Sequence, residues 1–354
     1  MTPIKESAPE LRWQSEDYDP TIQGLLAKTD SDWGDPETNL KNLIKWGVKP
    51  LDKALWGIDT ASGEMNMILG PEKQRKTTFI LNIVRNIFKN KNPDVGVKVV
   101  LDSLESGSPP ERNRDTLLSI IASQVLIDRG HVPPSHGRCP VCGSEQCKEL
   151  RLSPEFLKFV SRSPEQYKAI DRAKEEMHSW NLNLYGASHI QGTTRDLKTS
   201  DIRWRYLAEQ GYNIFVIDHV QQYNISETAT DYEKQLQAVS KVGSFVAETK
   251  TVVFLLSQVS LWSQRDQGGI GLTASGGKKG HQEANSILST KYEDNSGFVK
   301  ITLEESRKSG GFAMYQKIDD ESGAFFGDAY LPKEWDKQAM SIANRNDLEQ
   351  KDLF

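Results

Sequence analysis

The sequence predicts an α/β domain with a mainly parallel central sheet flanked by helices, and three observations carry that prediction. Apolar, β-rich runs at 65–69, 97–101, 213–217 and 251–256 alternate with longer stretches of helical periodicity. The first two runs enclose a helical stretch, 77–90, whose Phe79, Ile80, Ile83, Val84 and Ile87 fall on one face. That strand–helix–strand order predicts parallel strands joined by a right-handed crossover. The runs are also followed by groups able to do chemistry: the loop at Gly70, Glu105, Asp218 and Gln258. Ligands of open α/β sheets gather at the carboxyl ends of the strands.

The loop is the centre of this arrangement. An apolar strand runs into Gly70, Pro71, Glu72, Lys73, Gln74 and Arg75, and then Lys76, Thr77 and Thr78 open an apolar helix. This is the layout of a phosphate-binding loop. Backbone N–H groups converge on a phosphate, Lys76 adds a point charge, and the Thr77 hydroxyl can reach Mg²⁺. One residue departs from the pattern G-x-x-x-x-G-K-[ST], because Arg75 stands where glycine is expected. If that position requires positive φ, a β-carbon there carries strain of about 1–3 kcal/mol, and the guanidinium could offer the phosphates a second cation. A carboxylate after the strand 213–217 is where a P-loop ATPase holds Mg²⁺, so Asp218 pairs with Thr77 as the metal-side group. Glu105 can accept the proton of an attacking water, and Gln258 can hydrogen-bond the γ-phosphate.

With 354 residues the chain has room for one or two domains and a sizeable core. The formal charge of −5 excludes a globally basic nucleic-acid coat but leaves room for a local basic loop. No apolar run is long enough to cross a bilayer, and no charged-then-apolar signal segment opens the chain. The expected setting is therefore the cytoplasm of a bacterium or archaeon, or of a host infected by one of their phages. Residues 1–40 are polar and broken by Pro3, Pro9, Pro20 and Pro36, with an apolar patch at Ile22, Leu25 and Leu26. They read either as a disordered tail or as a linker arm whose short helix docks on a neighbouring subunit. Residues 41–330 form the main domain. Within it, 112–129 and 232–249 are helical, and 150–211 is mostly helical with an interruption near 181–191. Strands at 286–292, 298–303, 312–318 and 324–327 build C-terminal β-hairpins. Residues 331–354 form a flexible tail.

All three cysteines, Cys139, Cys142 and Cys147, fall in a short insert at 131–150. Such clustering suits a metal better than a disulfide framework. His136, three residues before Cys139, completes a tetrahedral Cys₃His zinc site, with His131 as the competing fourth ligand. With every position filled by protein, the zinc would be structural.

Several segments carry a family resemblance. Leu51-Asp52-Lys53 with Gly57 and Gly63 leads into the loop, Ser103-Leu104-Glu105 follows the second strand, and Val216-Ile217-Asp218-His219-Val220-Gln221 ends the third. Leu256-Ser257-Gln258 ends the fourth, and Ala274-Ser275-Gly276 precedes Gln282-Glu283-Ala284-Asn285. Together, across 46–327, they resemble the RecA-like ATPase domain of the DnaB family of ring helicases. The resemblance implies a RecA-like P-loop core that uses ATP and Mg²⁺, acts on single-stranded DNA and assembles as a hexameric ring or filament. It makes Glu105 the catalytic glutamate. In Glu305-Ser306-Arg307-Lys308-Ser309-Gly310 it makes Arg307 similar to the arginine finger offered to the next subunit's nucleotide. Glu305 replaces the family's lysine, and the family's N-terminal primase-interacting domain has no counterpart here. Gly70-Pro71-Glu72 is closer to RecA itself.

DNA contact would come from Lys278 and Lys279 among Gly276, Gly277 and Gly280, which can follow a phosphate backbone with little steric hindrance. A second candidate loop is 222–231. The last five residues resemble a peptide that docks in the bacterial sliding clamp, with Gln350, Leu353 and Phe354 as its anchors. The expected function is an ATP-driven motor on single-stranded DNA, a hexameric DnaB-like helicase of DNA replication. The alternatives are a RecA-like recombination or repair scaffold with weak or no hydrolysis, and a clamp-associated adaptor.

Overall fold

The structure is a computed structural model. It describes residues 42–91, 95–103, 110–159, 161–186, 196–219, 231–258, 283–293 and 296–332. Glu105, Gly276, Gly277, Lys278 and Lys279 lie outside the described residues, as do the clamp-like anchors Gln350, Leu353 and Phe354, the arm 1–40 and most of the loop 222–231.

Eleven strands are present among the described residues: β1 (Leu43–Ile44), β2 (Ile58–Asp59), β3 (Glu64–Gly70), β4 (Val99–Ser103), β5 (Leu182–Gly186), β6 (Ile214–Asp218), β7 (Val252–Gln258), β8 (Ser286–Glu293), β9 (Phe298–Ser306), β10 (Phe312–Ile318) and β11 (Phe325–Tyr330). The helices are α1 (Lys49–Leu55), α2 (Lys76–Asn90), α3 (Pro110–Asp128), α4 (Pro154–Phe159), α5 (Pro164–His178), α6 (Leu197–Glu209) and α7 (Asp231–Thr249). β1 and β2 pair with each other. The other nine strands form one sheet in the order β11-β10-β9-β8-β3-β7-β6-β4-β5. The six strands from β8 to β5 run parallel, and β9, β10 and β11 extend the sheet antiparallel beyond β8. The predicted α/β architecture, with a mainly parallel sheet and C-terminal hairpins, is therefore the observed one.

Strand alternation explains why the central strands read as continuous apolar runs. Side chains one residue apart point to opposite faces, and both faces are covered. Ile68, Leu101, Val216 and Phe254 pack on one face with Phe79, Ile80 and Ile83 of α2 and Leu117 of α3. Met67, Val100, Phe215 and Leu255 pack on the other with Trp204 of α6 and Phe245 of α7. In the antiparallel extension only one face is strongly buried: Val299, Ile301, Leu303, Met314 and Ile318 join the α2 face, and the residues between them are half exposed. A third cluster joins α3, α5 and the cysteine insert through Ile121, Leu126, Cys139, Cys147, Leu152, Ile170 and Ala173.

Two elements differ from expectation. The interruption near 181–191 contains the edge strand β5, paired in register with β4 from Val99↔Leu182 to Ser103↔Gly186. Its Leu-Asn-Leu-Tyr-Gly sequence is only half buried, so no continuous apolar run marks it. The small β1–β2 pair before the loop is too short to leave a periodic signal. Among the described residues, no helix is long and apolar enough to cross a membrane.

Candidate functional site

β3 delivers the loop to the carboxyl edge of the sheet. All seven of its residues are buried between β7 and β8. At Gly70 a β-carbon would come within 2.9 Å of the Thr290 carbonyl oxygen, so the strand can end there only as glycine. The next five residues turn through two positive-φ positions, Lys73 (φ 62°) and Arg75 (φ 61°), and α2 begins at Lys76. Arg75 thus occupies the left-handed conformation that glycine holds at low cost, and it caps α2 with no side-chain bond to the helix.

The loop's charged groups are held inward. Lys76 is buried, and its Nζ donates to the carbonyl oxygens of Gly70 (2.8 Å) and Pro71 (2.6 Å), which places the ammonium within the turn. Thr77 Oγ1 donates to Asp218 Oδ2 at 2.8 Å, joining the start of α2 to the end of β6. Asp218 is buried, and His219 Nδ1 lies 3.5 Å from its other oxygen. The strand register brings the remaining ends alongside. Gly70 is the partner of Gln258 across β3–β7, and Ser103 is the partner of Asp218 across β4–β6. Lys76, Thr77, Asp218 and Gln258 therefore share one edge, and Glu105 follows two residues after Ser103, beyond the described part of that edge. The oxygens of Thr77 and Asp218, already paired, are a hard-donor set suited to Mg²⁺. The α2 N-terminus and Lys76 supply positive charge to an anion.

Sequence reasoning missed a wall beside the loop, built from the end of β8 and the turn 319–323. Gln74 Oε1 accepts from the Tyr292 backbone N–H at 2.7 Å. The Tyr292 hydroxyl donates to Asp320 Oδ1 at 2.6 Å, and burial together with that bond pushes the phenol up to about 12. The Arg75 guanidinium lies over the Tyr292 ring, 5.1 Å from its centre, and donates to the Asp320 carbonyl at 3.3 Å. The guanidinium therefore lies against this wall. From α2, Asn82 donates to Gly323 O at 2.9 Å and accepts from the Phe325 N–H at 3.0 Å, which fixes the same turn to the helix. The only sequence signal for the wall is the polar run Asp319-Asp320-Glu321-Ser322-Gly323 between two strands.

Arg307 lies at the opposite edge. It follows β9, its N–H donates to Asn285 O at 3.0 Å, and the adjacent Lys308 pairs with Glu64 at the first residue of β3. The seven residues of β3 run from Glu64 to Gly70, a span of roughly 20 Å at 3.3 Å per residue step.

The cysteine insert forms a second constellation. His131, Cys139 and Cys147 are buried, with ligand atoms all within 4.8 Å of one another. Cys142, three residues after Cys139, is exposed and lies outside that group. His136 does not join them. Its Nε2 lies 3.1 Å from Gly297 O, and its ring packs edge-on against Phe298 and Phe326. Of the two competing histidines the structure thus brings His131 to the thiols and gives His136 to the sheet.

A scan against protein-family models matches none, and no curated protein matches the chain. Solved structures do match. One is described as a DnaB-like replicative helicase and its interactions with primase: TM-score 0.64, 18% identity, 87% of this chain and 67% of that one. The chain has a DnaB-type RecA-like fold. A second match is described as an ATPase domain, with TM-score 0.63, 18% identity, and coverage of 88% of this chain and 99% of that one. At these identities the likeness is one of fold, and it extends over nearly the whole of that second structure.

Proposed function

We propose that the chain is an ATP-driven motor on single-stranded DNA, a hexameric DnaB-like helicase of DNA replication. The observation that carries this reading is the meeting of Lys76, Thr77 and Asp218 at the carboxyl edge of a DnaB-type sheet, with the Thr77–Asp218 bond already made at 2.8 Å. A nucleotide phosphate entering the loop takes Lys76 Nζ over from the Gly70 and Pro71 carbonyls, and the N–H groups opening α2 bind the same oxygens. Thr77 and Asp218 would hold Mg²⁺, which would supply charge neutralisation to the phosphates. Glu105 orients the attacking water and accepts its proton, and Gln258 hydrogen-bonds the γ-phosphate.

The position of Arg307 supports a shared site. About 20 Å of strand separates the two edges, and in the proposed reading its guanidinium meets a phosphate on a neighbouring copy, within a ring or filament that holds ATP between subunits. Lys278 and Lys279, with Gly276 and Gly277, grip the DNA backbone without reading its sequence.

The second reading, a RecA-like recombination or repair scaffold, is favoured by one observation: Arg75 stands at φ 61° where the phosphate-loop pattern has glycine, and its guanidinium bonds the Tyr292–Asp320 wall. ATP turnover with and without single-stranded DNA, alongside unwinding of a forked duplex, separates the two. The motor reading requires DNA-stimulated turnover and unwinding. Turnover without unwinding favours the scaffold, and no turnover in the wild type contradicts the motor.

A further inference from the structure

The cysteine insert has no part in the nucleotide chemistry, and its geometry supports a separate inference. His131 Nδ1 lies 3.3 Å from Cys147 Sγ and 3.8 Å from Cys139 Sγ. A tetrahedral zinc with bonds of about 2.3 Å to sulfur and about 2.0 Å to nitrogen sets a nitrogen and a sulfur ligand about 3.5 Å apart, so the observed separations bracket the edge of such a site. The Cys139 turn is closed by Gly143 N–H to Cys139 O at 2.8 Å and Cys139 N–H to Ser144 O at 2.9 Å. His131 and the two buried thiols face one another, and a cation placed among them would replace these contacts with metal–ligand bonds, Cys142 three residues after Cys139 supplying the fourth.

The same insert meets the sheet through Ser135 and His136. Between His131 and Cys139 the chain makes a short 3₁₀ turn, Pro134–His136. Its last residue packs on Gly297, where a β-carbon would lie 2.6 Å from His136 Nε2 and 2.8 Å from Ser135 Oγ. Gly297 O also accepts from the Ile318 N–H at 2.9 Å, one residue before the Asp319–Gly323 turn that holds Arg75 and Asn82. A continuous path of contacts thus runs from the cysteines through His136 to the wall of the phosphate loop.

We propose that His131, Cys139, Cys142 and Cys147 bind one structural zinc ion, and that the metal, by closing the loop that carries Ser135 and His136, braces the β8–β9 turn and the wall beside the phosphate loop. His136 is a positioning residue, not a ligand. The inference is independent of whether the loop hydrolyses ATP.

The test uses the full chain. Metal content by mass spectrometry is expected at one zinc per chain in wild type and in His136→Ala, and well below half in His131→Ala and Cys142→Ser. Cys142 is exposed, so its serine variant keeps the core packing. Co²⁺ added to the zinc-free wild type should give the intense visible bands of a tetrahedral thiolate site, absent in His131→Ala. Zinc retained in His131→Ala but lost in His136→Ala would overturn the ligand assignment, and a wild type that takes up neither metal would overturn the site. For the brace, hydrogen exchange should quicken several-fold at 296–298 and 318–324 both in zinc-free wild type and in zinc-loaded His136→Ala. Unchanged exchange in both would overturn it.

Discussion

At the scale of single residues, Arg75 sets the terms. Its φ of 61° costs a residue with a β-carbon about 1–3 kcal/mol. The guanidinium offsets part of this by lying over Tyr292 and bonding Asp320 O, contacts of about 1 kcal/mol each at a partly exposed site. Two substitutions separate the terms. Arg75→Ala keeps the strain and loses both contacts, whereas Arg75→Gly loses the contacts and the strain together. Thermal melts should place Arg75→Ala below Arg75→Gly by about 1–2 °C, equivalent to about 1 kcal/mol. Equal midpoints would mean that the backbone at 75 is not strained. Both variants should still bind ATP, and a large gain in turnover for Arg75→Gly would identify the arginine as a brake. Lys76→Ala removes the ammonium that Gly70 O and Pro71 O now hold, and turnover should fall by about 100-fold or more. The departure at position 75 was legible in the sequence. What it binds was not, because Tyr292 and Asp320 lie far along the chain and carry no local pattern.

At the scale of elements, the parallel strands were legible because each is buried on both faces and therefore apolar throughout, as β6 and β7 are. β5 was not, since an edge strand with half-buried residues resembles a loop between helices. The metal-ligand spacing of the cysteines was legible, but the choice between His131 and His136 depends on how the 3₁₀ turn points each ring. The turn after β10 has its own titration. Burial pushes the Asp319 carboxyl up to about 6, despite bonds from the Ser322 N–H and hydroxyl. The folded state therefore holds this proton more tightly than the unfolded chain, whose carboxyl titrates near the usual value of about 4. The stability this group contributes is full at low pH and is lost as pH rises from about 4 through about 6. The melting temperature of wild type relative to Asp319→Asn should decline across that window and level off above it. A difference that does not vary with pH would contradict the assignment.

At the scale of the whole molecule, the sheet places Lys76, Thr77 and Asp218 at one edge and Arg307 at the other, with β3 spanning the distance between them. Under the proposed function Arg307 acts on a neighbour's nucleotide, and a working site belongs to two copies. The central claim is best tested by mixing two inactive proteins and measuring steady-state ATP turnover on single-stranded DNA. Lys76→Ala lacks the phosphate lysine, and Arg307→Ala lacks the group offered to the neighbour. Each alone should turn over ATP about 100-fold or more below wild type. In mixed assemblies, interfaces that join the intact loop of an Arg307→Ala copy to the intact arginine of a Lys76→Ala copy regain both parts. The account predicts that the mixture recovers a substantial fraction of wild-type turnover, whereas a mixture no more active than its components, under conditions where the copies exchange, would contradict it.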